Sequence, residues 1–538
     1  MSFAAAGQLS MPALAQASAP LAAALAAIRA YGEAHLKHFG LPGMALGLTT
    51  PDGFATVFNF GFANRDARTA ITPETLFEIG SITKLMTAAV VHQLAAEGRL
   101  SLTDRVGARL PSLPLPAGNA IQVQHLLDHV AGLPADAPLS PEGGLWTAYR
   151  PGAHWHYSNI GYEMLGKIAE HVAGQPLARL LQARIFAPLG MARSRGAIVA
   201  DDRALYAQGY DSADTSGAYA RGLPLAPAAW VDMTKGAGCV GSTADDMTRL
   251  MRSLANAAQG RGGLGLSPVA AKAFTNHAVP SDTRGMTYGN GLMHVGERGR
   301  SYLHHTGGMV SFSSSFHIDT ASSVGAFASS NIGFNAEYRP RLLTRFAVDV
   351  LTDALAGRPL PQPPPLAIQL ANAQSYVGRY VGPAGSFEIR AGNPLTIFAN
   401  GQSADLQPWG GEIFRTTHPA FRRFSLMFDR KGPAITGAGW GPSSYARGAI
   451  DTPASNPKLA RLAGRYTNDS PWLGTANVVE RGGRLWIGTE TPMIAMADNL
   501  WRIGEESWSP ERGSFADFID GRPNTFVFSG ERYTRREV

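Results

Sequence analysis

The sequence predicts an α+β protein whose N-terminal part, of mixed helices and strands, is followed by two small antiparallel β domains. In the N-terminal part, amphipathic helical segments alternate with short apolar runs that are typical of strands. A Pro-rich stretch over residues 358–370 then interrupts the pattern and predicts a stiff, extended linker. Beyond it the helical periodicity stops, and short alternating runs indicate antiparallel β structure.

The elements of the N-terminal part can be placed in order along the chain. Helices are predicted where apolar residues recur on one face, and strands where short apolar runs are bounded by turn residues. The predicted elements are a helix over residues 19–39, a hairpin over 43–48 and 54–60, a helix starting at Ser81, a helix that begins with residues 121–129, a helix entered near Asn159, a helix starting near Ser242, strands over 288–295 and 313–329, and a closing helix over 341–355.

A repeated sequence motif relates the two β domains. Tyr376-Val-Gly-Arg-Tyr380 returns as Leu462-Ala-Gly-Arg-Tyr466, which indicates a degenerate repeat. Closure of each domain into a barrel would remove open sheet edges. The predicted boundaries are a tail or signal remnant over residues 1–18, a first domain over 19–357, the linker over 358–370, and β domains over 371–451 and 452–538.

Composition and charge argue against two classes of partner. The hydrophobic content of 45% and the charged content of 16% describe a chain that folds. The net charge of +6 is a slight excess for 538 residues and includes no long basic run, so we predict no nucleic-acid partner. The sequence contains no run of about 18 apolar residues, so we predict no membrane span.

Two features that could be reactive or bind metal have simpler interpretations. Cys239 is the single cysteine, so it forms no internal disulfide, and its small neighbours favour a buried structural thiol. His125 and His129 are four residues apart in a predicted helix, but no third ligand and no His-Glu-x-x-His pattern accompany them. We therefore predict no metal ion and no cofactor.

The segment Ser81-Ile-Thr-Lys84 places a hydroxyl and an amine one helical turn apart. A helix start carries partial positive charge, which disfavours an ammonium group and favours negative charge forming at Ser81. Lys84 would then be neutral enough to accept a proton, which activates a serine without a His-Asp pair. The same spacing recurs in Ser455-Asn-Pro-Lys458, so the motif is weak by itself.

A second candidate, Tyr157-Ser-Asn159, falls where a loop punctuated by proline and glycine enters a helix. Reactive groups are often held at such loop ends. A plainer interpretation makes Tyr157 a packing aromatic and Asn159 a helix N-cap. The spacing also recurs in Tyr288-Gly-Asn290, so it is equally weak alone.

A third candidate, His305-Thr306-Gly307, is followed by Gly308, and its glycines let a ligand approach the backbone closely. In their order along the chain, the three candidates resemble the motifs of the penicillin-recognising serine hydrolases. That superfamily includes class C β-lactamases, D-Ala-D-Ala carboxypeptidases, D-aminopeptidases and β-lactamase-like esterases. The resemblance covers about residues 35–350 and includes His129-Val-Ala-Gly-Leu133 as a further landmark.

The resemblance implies a fold for each part of the chain. The first domain would have the β-lactamase/transpeptidase-like fold, with an antiparallel sheet flanked by helices and an additional all-helical part. A catalytic domain followed by two small, lipocalin-like antiparallel barrels is similar to the arrangement of a D-aminopeptidase.

The resemblance also implies catalytic roles. Ser81 would attack a carbonyl and form an acyl-enzyme, while Lys84 and Tyr157 would relay its proton to the leaving group. A tyrosine needs a neighbouring cation to act as a base near neutral pH, and Lys84 is the candidate.

Binding roles follow from the same resemblance. Asn159 would orient the Lys84 amine and the acyl amide of the substrate, and the third motif would line the substrate. Backbone N–H groups would stabilise the developing oxyanion. The implied substrate-binding or relay residues are Asn159, His305, Thr306 and Gly307, and the implied oxyanion hole is formed by Ser81 and Gly308.

The main departure from the β-lactamase pattern is His305, where those enzymes usually carry a lysine that helps to bind a substrate carboxylate. A histidine is mostly neutral at pH 7 and is a weaker anchor for an anion. We therefore expect that no fixed carboxylate is required, which favours esters, amides and D-amino-acid peptides over penicillins. The Glu-x-x-Leu-Asn pattern of class A enzymes is absent as well, so water would be activated through Tyr157.

We predict a serine hydrolase that acts on ester bonds or on amide bonds of D-amino-acid peptides, with a small molecule or peptide as substrate. An acyltransferase or peptide cyclase, a β-lactamase, and a non-catalytic penicillin-binding-like sensor stay as alternatives. A homo-oligomer is compatible with the sequence. Residues 15–17, Ala-Gln-Ala, resemble a signal-peptidase site without a preceding basic residue, so we predict a bacterial periplasmic or secreted protein, with the cytoplasm as the alternative.

Overall fold

The computed structural model describes residues 19–113, 115, 120–139, 144–214, 216–333, 336, 338–448 and 455–536. The predicted tail or signal remnant over residues 1–18 lies outside this range, as does the junction predicted at residues 451 and 452. The α-helices in the described residues are α1 Ala19–Phe39, α2 Thr83–Ala96, α3 Val106–Arg109, α4 Val123–Leu127, α5 Asn159–Ala173, α6 Leu177–Leu181, α7 Ala187–Leu189, α8 Ala244–Ala258, α9 Pro268–Asn276, α10 Arg341–Leu355 and α11 Pro457–Ala460.

The strands fall into a first set before the Pro-rich stretch and two later sets. The first set is β1 Gly43–Thr49, β2 Ala55–Asn64, β3 Thr69–Ala70, β4 Phe77–Glu78, β5 Tyr210–Ser212, β6 Leu225–Pro227, β7 Gly241–Ser242, β8 Val279–Pro280, β9 Met286–Gly289, β10 Leu292–Glu297, β11 Arg300–Gly308, β12 Ser313–Asp319 and β13 Gly325–Ser330. The second set is β14 Gly378–Gly382, β15 Gly385–Arg390, β16 Thr396–Ala399, β17 Gln402–Gly410, β18 Ile413–Thr416, β19 Leu426–Lys431, β20 Ala434–Trp440 and β21 Ser443–Ala446. The third set is β22 Gly464–Thr467, β23 Thr475–Arg481, β24 Arg484–Ile487, β25 Thr491–Ala497, β26 Leu500–Ile503, β27 Arg512–Ile519, β28 Arg522–Phe528 and β29 Glu531–Arg536.

The N-terminal part is built around an antiparallel sheet in the order β3-β2-β1-β13-β12-β11-β10-β9-β8. Its central strands β1, β12 and β13 are buried along their whole length, which requires cover on both faces of the sheet. Helix α10 packs against α1 and on β12 and β13, while α8 packs on β1 and β13. A separate helical part is formed by α2, α4, α5 and α6, with α5 in contact with each of the others. The predicted α+β fold, with a helix-flanked antiparallel sheet and a helical part, is confirmed.

Two segments that the sequence predicts as single strands, residues 288–295 and 313–329, each form a hairpin of two strands. Residues 288–295 divide into β9 and β10, because Asn290 and Gly291 adopt positive φ angles of 53° and 77° and reverse the chain. An Asn-Gly pair between apolar runs is a strong hairpin signal. Residues 313–329 likewise divide into β12 and β13, and Ser323 in the connection has a φ of 60°. By contrast, the helices predicted over residues 19–39 and 341–355 have the bounds of α1 and α10.

The chain after the Pro-rich stretch forms two closed antiparallel barrels, each with eight strands in its described residues. The first barrel joins β14 to β21 in sequence order, and the second joins β22 to β29. Both interiors are filled by buried side chains, many of them aromatic. An eight-stranded barrel is just narrow enough for its side chains to fill it, and these barrels have packed cores.

The repeated motif has the same contact in both barrels. In the first, the Tyr380 hydroxyl donates to the carbonyl oxygen of Tyr376, 2.8 Å away. In the second, the Tyr466 hydroxyl donates to the carbonyl oxygen of Leu462, 2.7 Å away. Both tyrosines are fully buried, so each hydroxyl needs such a partner. The repeated sequence motif therefore corresponds to a structural repeat.

An arginine near the end of each barrel binds the same turn. Arg447 donates to the carbonyls on either side of Tyr376, and Arg535 donates to the carbonyls on either side of Leu462. A β-carbon on the glycine of either motif would lie about 3.0 Å from this arginine. The glycine and the tyrosine of the motif, together with this arginine, thus make the same contacts in both barrels.

The described chain divides into two compact units. One contains the residues up to Asp211 and those from Pro227 to Pro364, and the other contains Ser212–Ala226 and the residues from Pro365 onward. Within the second unit, the Arg221 backbone N–H donates to Gln407 Oε1, and Gln407 Nε2 donates back to the Arg221 carbonyl, both at 2.9 Å. The second unit contains both barrels and is not divided between them. The separate β domains predicted over residues 371–451 and 452–538 therefore stay a prediction.

A buried histidine in the sheet gives the fold a dependence on pH. His304 stacks on His317 with 3.9 Å between ring centroids, and its Nδ1 lies 2.6 Å from the Phe316 carbonyl oxygen. Burial lowers the pKa of His304 to about 4. Between about pH 6.5 and pH 4 the unfolded chain therefore binds a proton that the folded chain does not, and stability falls as the pH falls. Across that window the loss amounts to about 3 kcal/mol.

We predict that His304→Gln makes thermal stability less sensitive to acid. The measurement is the unfolding midpoint near neutral pH and near pH 4.5 for the wild type, for His304→Gln and for His171→Gln, which changes an exposed histidine on α5. The wild type and the His171 variant should lose more stability in acid than the His304 variant. Equal losses in all three would contradict the assignment.

Candidate active site

Ser81 lies in a short 3-10 turn, Gly80–Ile82, that leads directly into α2. The approach to this turn is held by the pairing of β4 with β7 and by a 3.0 Å bond from the Ile79 N–H to the Val240 carbonyl. Gly80 has a φ of 53°, and a β-carbon there would lie 2.8 Å from the backbone nitrogen of Gly308. A glycine is therefore required before Ser81, whose side chain is partly exposed.

Lys84 is in the first turn of α2 and is completely buried. Its Nζ lies 3.1 Å from Ser81 Oγ, 2.8 Å from Asn159 Oδ1 and 3.0 Å from the carbonyl oxygen of Ala237. The spacing of three residues therefore brings the amine to the hydroxyl, as the sequence predicts.

The surroundings of Lys84 favour its neutral form. Burial lowers the pKa of Lys84 to about 7, and the carboxylate of Asp136 acts in the opposite direction. A neutral amine has two N–H groups and one lone pair. As an ammonium group, Lys84 donates to Ser81 Oγ, Asn159 Oδ1 and the Ala237 carbonyl oxygen. Because Asn159 Oδ1 and the carbonyl can only accept, in the neutral form they would take the two N–H groups and the lone pair would face Ser81 Oγ. This geometry suits transfer of the Ser81 proton to Lys84.

Asn159 is the first residue of α5 and connects Lys84 to a carboxylate. Ser158, not Asn159, is the N-cap, since its Oγ accepts from the Gly161 N–H at 3.1 Å. The interpretation of Asn159 as an N-cap is therefore wrong. Asn159 Oδ1 accepts from Lys84, while Nδ2 donates to both carboxylate oxygens of Asp136 at 3.2 Å.

Tyr157 is partly exposed and lies beside Ser81 and Lys84. Lys84 Nζ is 4.8 Å from the centroid of the Tyr157 ring. Burial raises the pKa of Tyr157 above its ordinary value, and a hydrogen bond with Ser81 offsets only part of that rise. The sequence argument needed Lys84 to be a cation that turns Tyr157 into a base. Burial instead raises the pKa of Tyr157 and lowers that of Lys84 to about 7, which favours Lys84 as the candidate base.

His129 holds the Tyr157 segment in place. It is buried, its φ is 59°, and its ring centroid lies 4.4 Å from that of Tyr157. Its Nδ1 accepts from the Ser158 N–H at 3.1 Å, and its carbonyl accepts from the His156 N–H at 2.8 Å. His125 points elsewhere, since its Nδ1 lies 3.0 Å from the backbone nitrogen of Gln122. The two histidines thus have separate structural partners.

His305 lies in β11 and is buried beside the same site. Its Nδ1 is 2.6 Å from the Thr306 carbonyl oxygen, which can only accept, so Nδ1 carries the proton. Nε2 then accepts from the Tyr288 hydroxyl, 3.2 Å away. Burial and then the nearby Lys84 lower the pKa of His305 to about 3. His305 is therefore a neutral side chain with a defined tautomer.

The end of β11 lies against the turn that carries the nucleophile candidate. A β-carbon on Gly307 would lie 1.9 Å from the Ile79 carbonyl oxygen, and one on Gly80 would lie 2.8 Å from the Gly308 nitrogen. Only glycine permits these close approaches. Thr306 is partly exposed on the same strand. The segments that contain Ser81 and Gly308, the two predicted oxyanion donors, are thus in direct contact.

The second Ser-x-x-Lys motif has a different environment. The Ser455 hydroxyl donates to Glu480 Oε2 at 2.7 Å, and Lys458 is exposed on the short helix α11. Cys239 is buried, and burial raises the pKa of its thiol to about 12. Throughout the part of the chain that the structure describes, no group of three or more His, Cys, Asp or Glu side chains is placed to hold a metal ion.

Three residues of the site were not found by motif. Asp136 and the carbonyl of Ala237 complete the contacts of Asn159 and Lys84, and the Tyr288 hydroxyl lies 3.2 Å from His305 Nε2. A backbone carbonyl carries no signal in the sequence, because any residue supplies it. Asp136 follows the His129 landmark closely, but nothing in one sequence separates it from an ordinary loop carboxylate.

Comparison with known proteins places the chain in a family. The family model described as "Beta-lactamase" matches residues 26–348, more than half of the chain. A β-lactamase of Pseudomonas fluorescens is 34% identical over 172 residues, which cover 30% of this chain and 48% of that protein. The chain thus spans about half the length of this curated relative. Among the described residues, no helix is long and apolar enough to cross a membrane.

Solved structures resemble a larger share of this chain than the curated relative does. The octameric penicillin-binding protein homologue from Pyrococcus abyssi has a TM-score of 0.56 at 21% identity, covering 79% of this chain and 100% of that one. D-amino acid amidase from Ochrobactrum anthropi SV3, complexed with L-phenylalanine amide, has a TM-score of 0.52 at 25% identity, covering 62% of this chain and 99% of that one. The match to the family model shows that the chain belongs to the β-lactamase family.

Proposed function

We propose that this protein is a hydrolase that forms an acyl-enzyme at Ser81 on ester bonds or on amide bonds of D-amino-acid compounds. The observation that carries the proposal is the environment of Lys84. Its buried Nζ lies 3.1 Å from Ser81 Oγ and is also bonded to Asn159 Oδ1 and the Ala237 carbonyl oxygen, so that in the neutral form the lone pair would face Ser81. A nucleophile with a base in hydrogen-bond reach, and a third group orienting that base, is the arrangement that covalent catalysis needs.

Acylation begins when Ser81 Oγ attacks the substrate carbonyl and its proton passes to Lys84 Nζ. The carbonyl oxygen becomes negative and is stabilised by the backbone N–H groups of Ser81 and Gly308. The bond to the leaving group then breaks. Tyr157, which is still protonated, donates its hydroxyl proton to the departing amine or alkoxide and recovers a proton from the Lys84 ammonium. The ester on Ser81 remains, and Lys84 is neutral again.

Deacylation uses the same groups in the reverse direction. A water molecule in the place of the leaving group gives its proton to the Tyr157 and Lys84 pair and attacks the acyl carbon. The bond to Ser81 breaks, Ser81 Oγ regains a proton, and the carboxylic acid product leaves. If an amine occupied that place instead, the product would be a new amide, which is the acyltransferase or peptide cyclase alternative.

The substrate preference that we propose rests on His305. A neutral, buried histidine cannot provide the positive charge that anchors a substrate carboxylate. Esters, amides and D-amino-acid peptides do not need that anchor. The structural likeness to a D-amino acid amidase, at 25% identity, supports the amide branch of the proposal.

β-Lactam hydrolysis is the second candidate, because the relatives that match in sequence include proteins named as β-lactamases. A non-catalytic sensor is a weaker candidate, since Ser81, Lys84 and Tyr157 are present and in contact. We also propose a homo-oligomer, supported by the octameric homologue, and a periplasmic or secreted location in a bacterium.

We predict that Lys84→Arg lowers kcat/KM for p-nitrophenyl esters by at least about a thousandfold, because a guanidinium stays protonated and cannot act as a base. Lys458→Arg makes the same exchange in the second Ser-x-x-Lys motif and should leave the rate unchanged. Labelling of Ser81 by a fluorescent fluorophosphonate should disappear in Ser81→Ala and persist in Ser455→Ala. Near-normal turnover by Lys84→Arg would contradict the proposed base.

The pH dependence of kcat/KM should show the titration of Lys84. Below its pKa of about 7 the amine holds a proton and cannot accept one from Ser81, so the rate should fall about tenfold for each pH unit. Above that value the amine is neutral, and the rate should level off. The measurement uses an uncharged p-nitrophenyl ester between about pH 5 and pH 9. A flat profile through pH 7 would argue against Lys84 as the base.

His305→Lys tests the proposed absence of a carboxylate anchor. The new ammonium should raise kcat/KM for an ester that carries a carboxylate, relative to its uncharged analogue, by about tenfold. His154→Lys adds the same charge at an exposed position and should not change the ratio. Circular dichroism checks that the buried lysine is tolerated. An unchanged ratio in a folded His305→Lys protein would show that position 305 does not select for substrate charge.

A further inference from the structure

Asp128 is a buried carboxylate that pairs with His277. His277 Nε2 lies 2.9 Å from Asp128 Oδ2, and the side-chain amide of Gln124 donates to both carboxylate oxygens at 3.0 and 3.1 Å. A carboxylate can only accept hydrogen bonds, so Nε2 of His277 carries a proton. This hydrogen bond raises the pKa of His277, which favours the charged form and a stronger pair. The His277 side chain is 39% exposed, so it can be substituted without opening the core.

Asp128 ends α4 and directly precedes His129, the residue that holds the Tyr157 segment. The Asp128 N–H donates to the Gln124 carbonyl oxygen at 3.1 Å and closes the last turn of α4. His129 then has a φ of 59°, a conformation that costs a non-glycine residue free energy and persists only with support from its neighbours. The contacts of the Asp128 side chain supply such support one residue away. His129 in turn has its ring centroid 4.4 Å from that of Tyr157.

His277 leads into the β8 and β9 edge of the sheet, where β8 pairs with β9. A β-carbon on Gly289 of β9 would lie only 2.3 Å from the His277 carbonyl oxygen, so the two backbones are in close contact. Tyr288, also in β9, has its ring centroid 4.6 Å from that of His129 and 6.5 Å from that of Tyr157. The pair therefore joins two segments whose aromatic rings meet beside Tyr157.

We propose that the Asp128 and His277 pair positions Tyr157, through His129, for protonation of the leaving group. The inference rests on the proposed acyl-enzyme mechanism, in which Tyr157 gives its proton to the departing group, and it adds two positioning residues to that mechanism. Neither residue of the pair is assigned a contact with the substrate.

The nucleophile and its base are held by other contacts. The turn of Ser81 is held by the pairing of β4 with β7, and Lys84 by its bonds to Asn159 and to the Ala237 carbonyl. Loss of the pair should therefore impair proton donation by Tyr157 more than attack by Ser81.

The need for a proton from Tyr157 depends on the leaving group. A p-nitrophenolate is a weak base and departs without a proton, whereas an alkoxide is a strong base and has to be protonated as the bond breaks. For an ester, kcat/KM covers the steps up to formation of the acyl-enzyme, so two esters with the same acyl group compare the departure of their leaving groups. A misplaced Tyr157 should slow the ethyl ester more than the p-nitrophenyl ester.

The test measures the ratio of kcat/KM for p-nitrophenyl butyrate to kcat/KM for ethyl butyrate. His277→Ala removes the donor to Asp128 and should raise this ratio by at least about tenfold. Asp128→Asn should raise it as well. His277→Gln keeps an N–H donor and should bring the ratio part of the way back to the wild-type value. Tyr157→Phe removes the proton donor itself and sets the upper limit of the change.

Matched control variants change the same residue types at exposed positions. His171→Ala and Asp282→Asn should keep the wild-type ratio. The double variant Asp128→Asn, His277→Ala should have a ratio no larger than that of the more affected single variant, because residues that act as a pair are not additive. The ratio does not depend on the amount of folded enzyme, so a variant that folds in part still gives a valid result.

Each outcome either supports or overturns the inference. An equal fall of kcat/KM for both esters in His277→Ala and Asp128→Asn would show a general structural role and overturn it, and so would an unchanged ratio. A raised ratio in Tyr157→Phe with the wild-type ratio in His277→Ala would overturn the role of the pair alone. An unchanged ratio in Tyr157→Phe would contradict the acid role of Tyr157, and the role of the pair with it. Failure of the acyl-enzyme proposal is recognised separately, as absence of fluorophosphonate labelling at Ser81 in the wild type.

Discussion

Lys84 Nζ is enclosed by an amide oxygen, a backbone carbonyl oxygen and the hydroxyl of Ser81, with no exposed surface. Burial makes the ammonium form costly, and two acceptors without protons determine where the two N–H groups of the neutral amine point. In the neutral form, the lone pair would face Ser81, the proposed nucleophile, before any substrate binds. The proposed chemistry depends on this enclosure, because an exposed lysine would stay charged near neutral pH.

The enclosure requires segments that are distant in the chain to meet within hydrogen-bond distance. Helix α2 supplies Lys84, α5 supplies Asn159, and the loop before β7 supplies the Ala237 carbonyl. On the other side of Ser81, the turn of the nucleophile touches the end of β11, where a β-carbon on Gly80 or Gly307 would collide with backbone atoms. These glycines therefore allow the two backbone segments to lie in contact.

The charges around the site bear on the substrate class that we propose. His305 is neutral because it is buried close to Lys84, and its tautomer is determined by Thr306 and Tyr288. Asp136 adds negative charge through Asn159. In the proposed function, the nucleophile and base depend on burial, whereas the choice of substrate depends on a few charges at the edge of the site.

The order of Ser81-x-x-Lys84, Tyr157-Ser-Asn159 and His305-Thr306-Gly307 was sufficient to predict the α+β fold, the family and the residues that meet at the site. Local periodicity also determined helices such as α1 and α10, whose bounds were predicted from sequence. Tertiary structure alone decided that Lys84 is buried, that burial raises the pKa of Tyr157, that Ser158 is the cap of α5, and that Asp136 contacts Asn159. Protonation and hydrogen-bond partners depend on neighbours brought together by folding, and spacing along the chain does not contain that information.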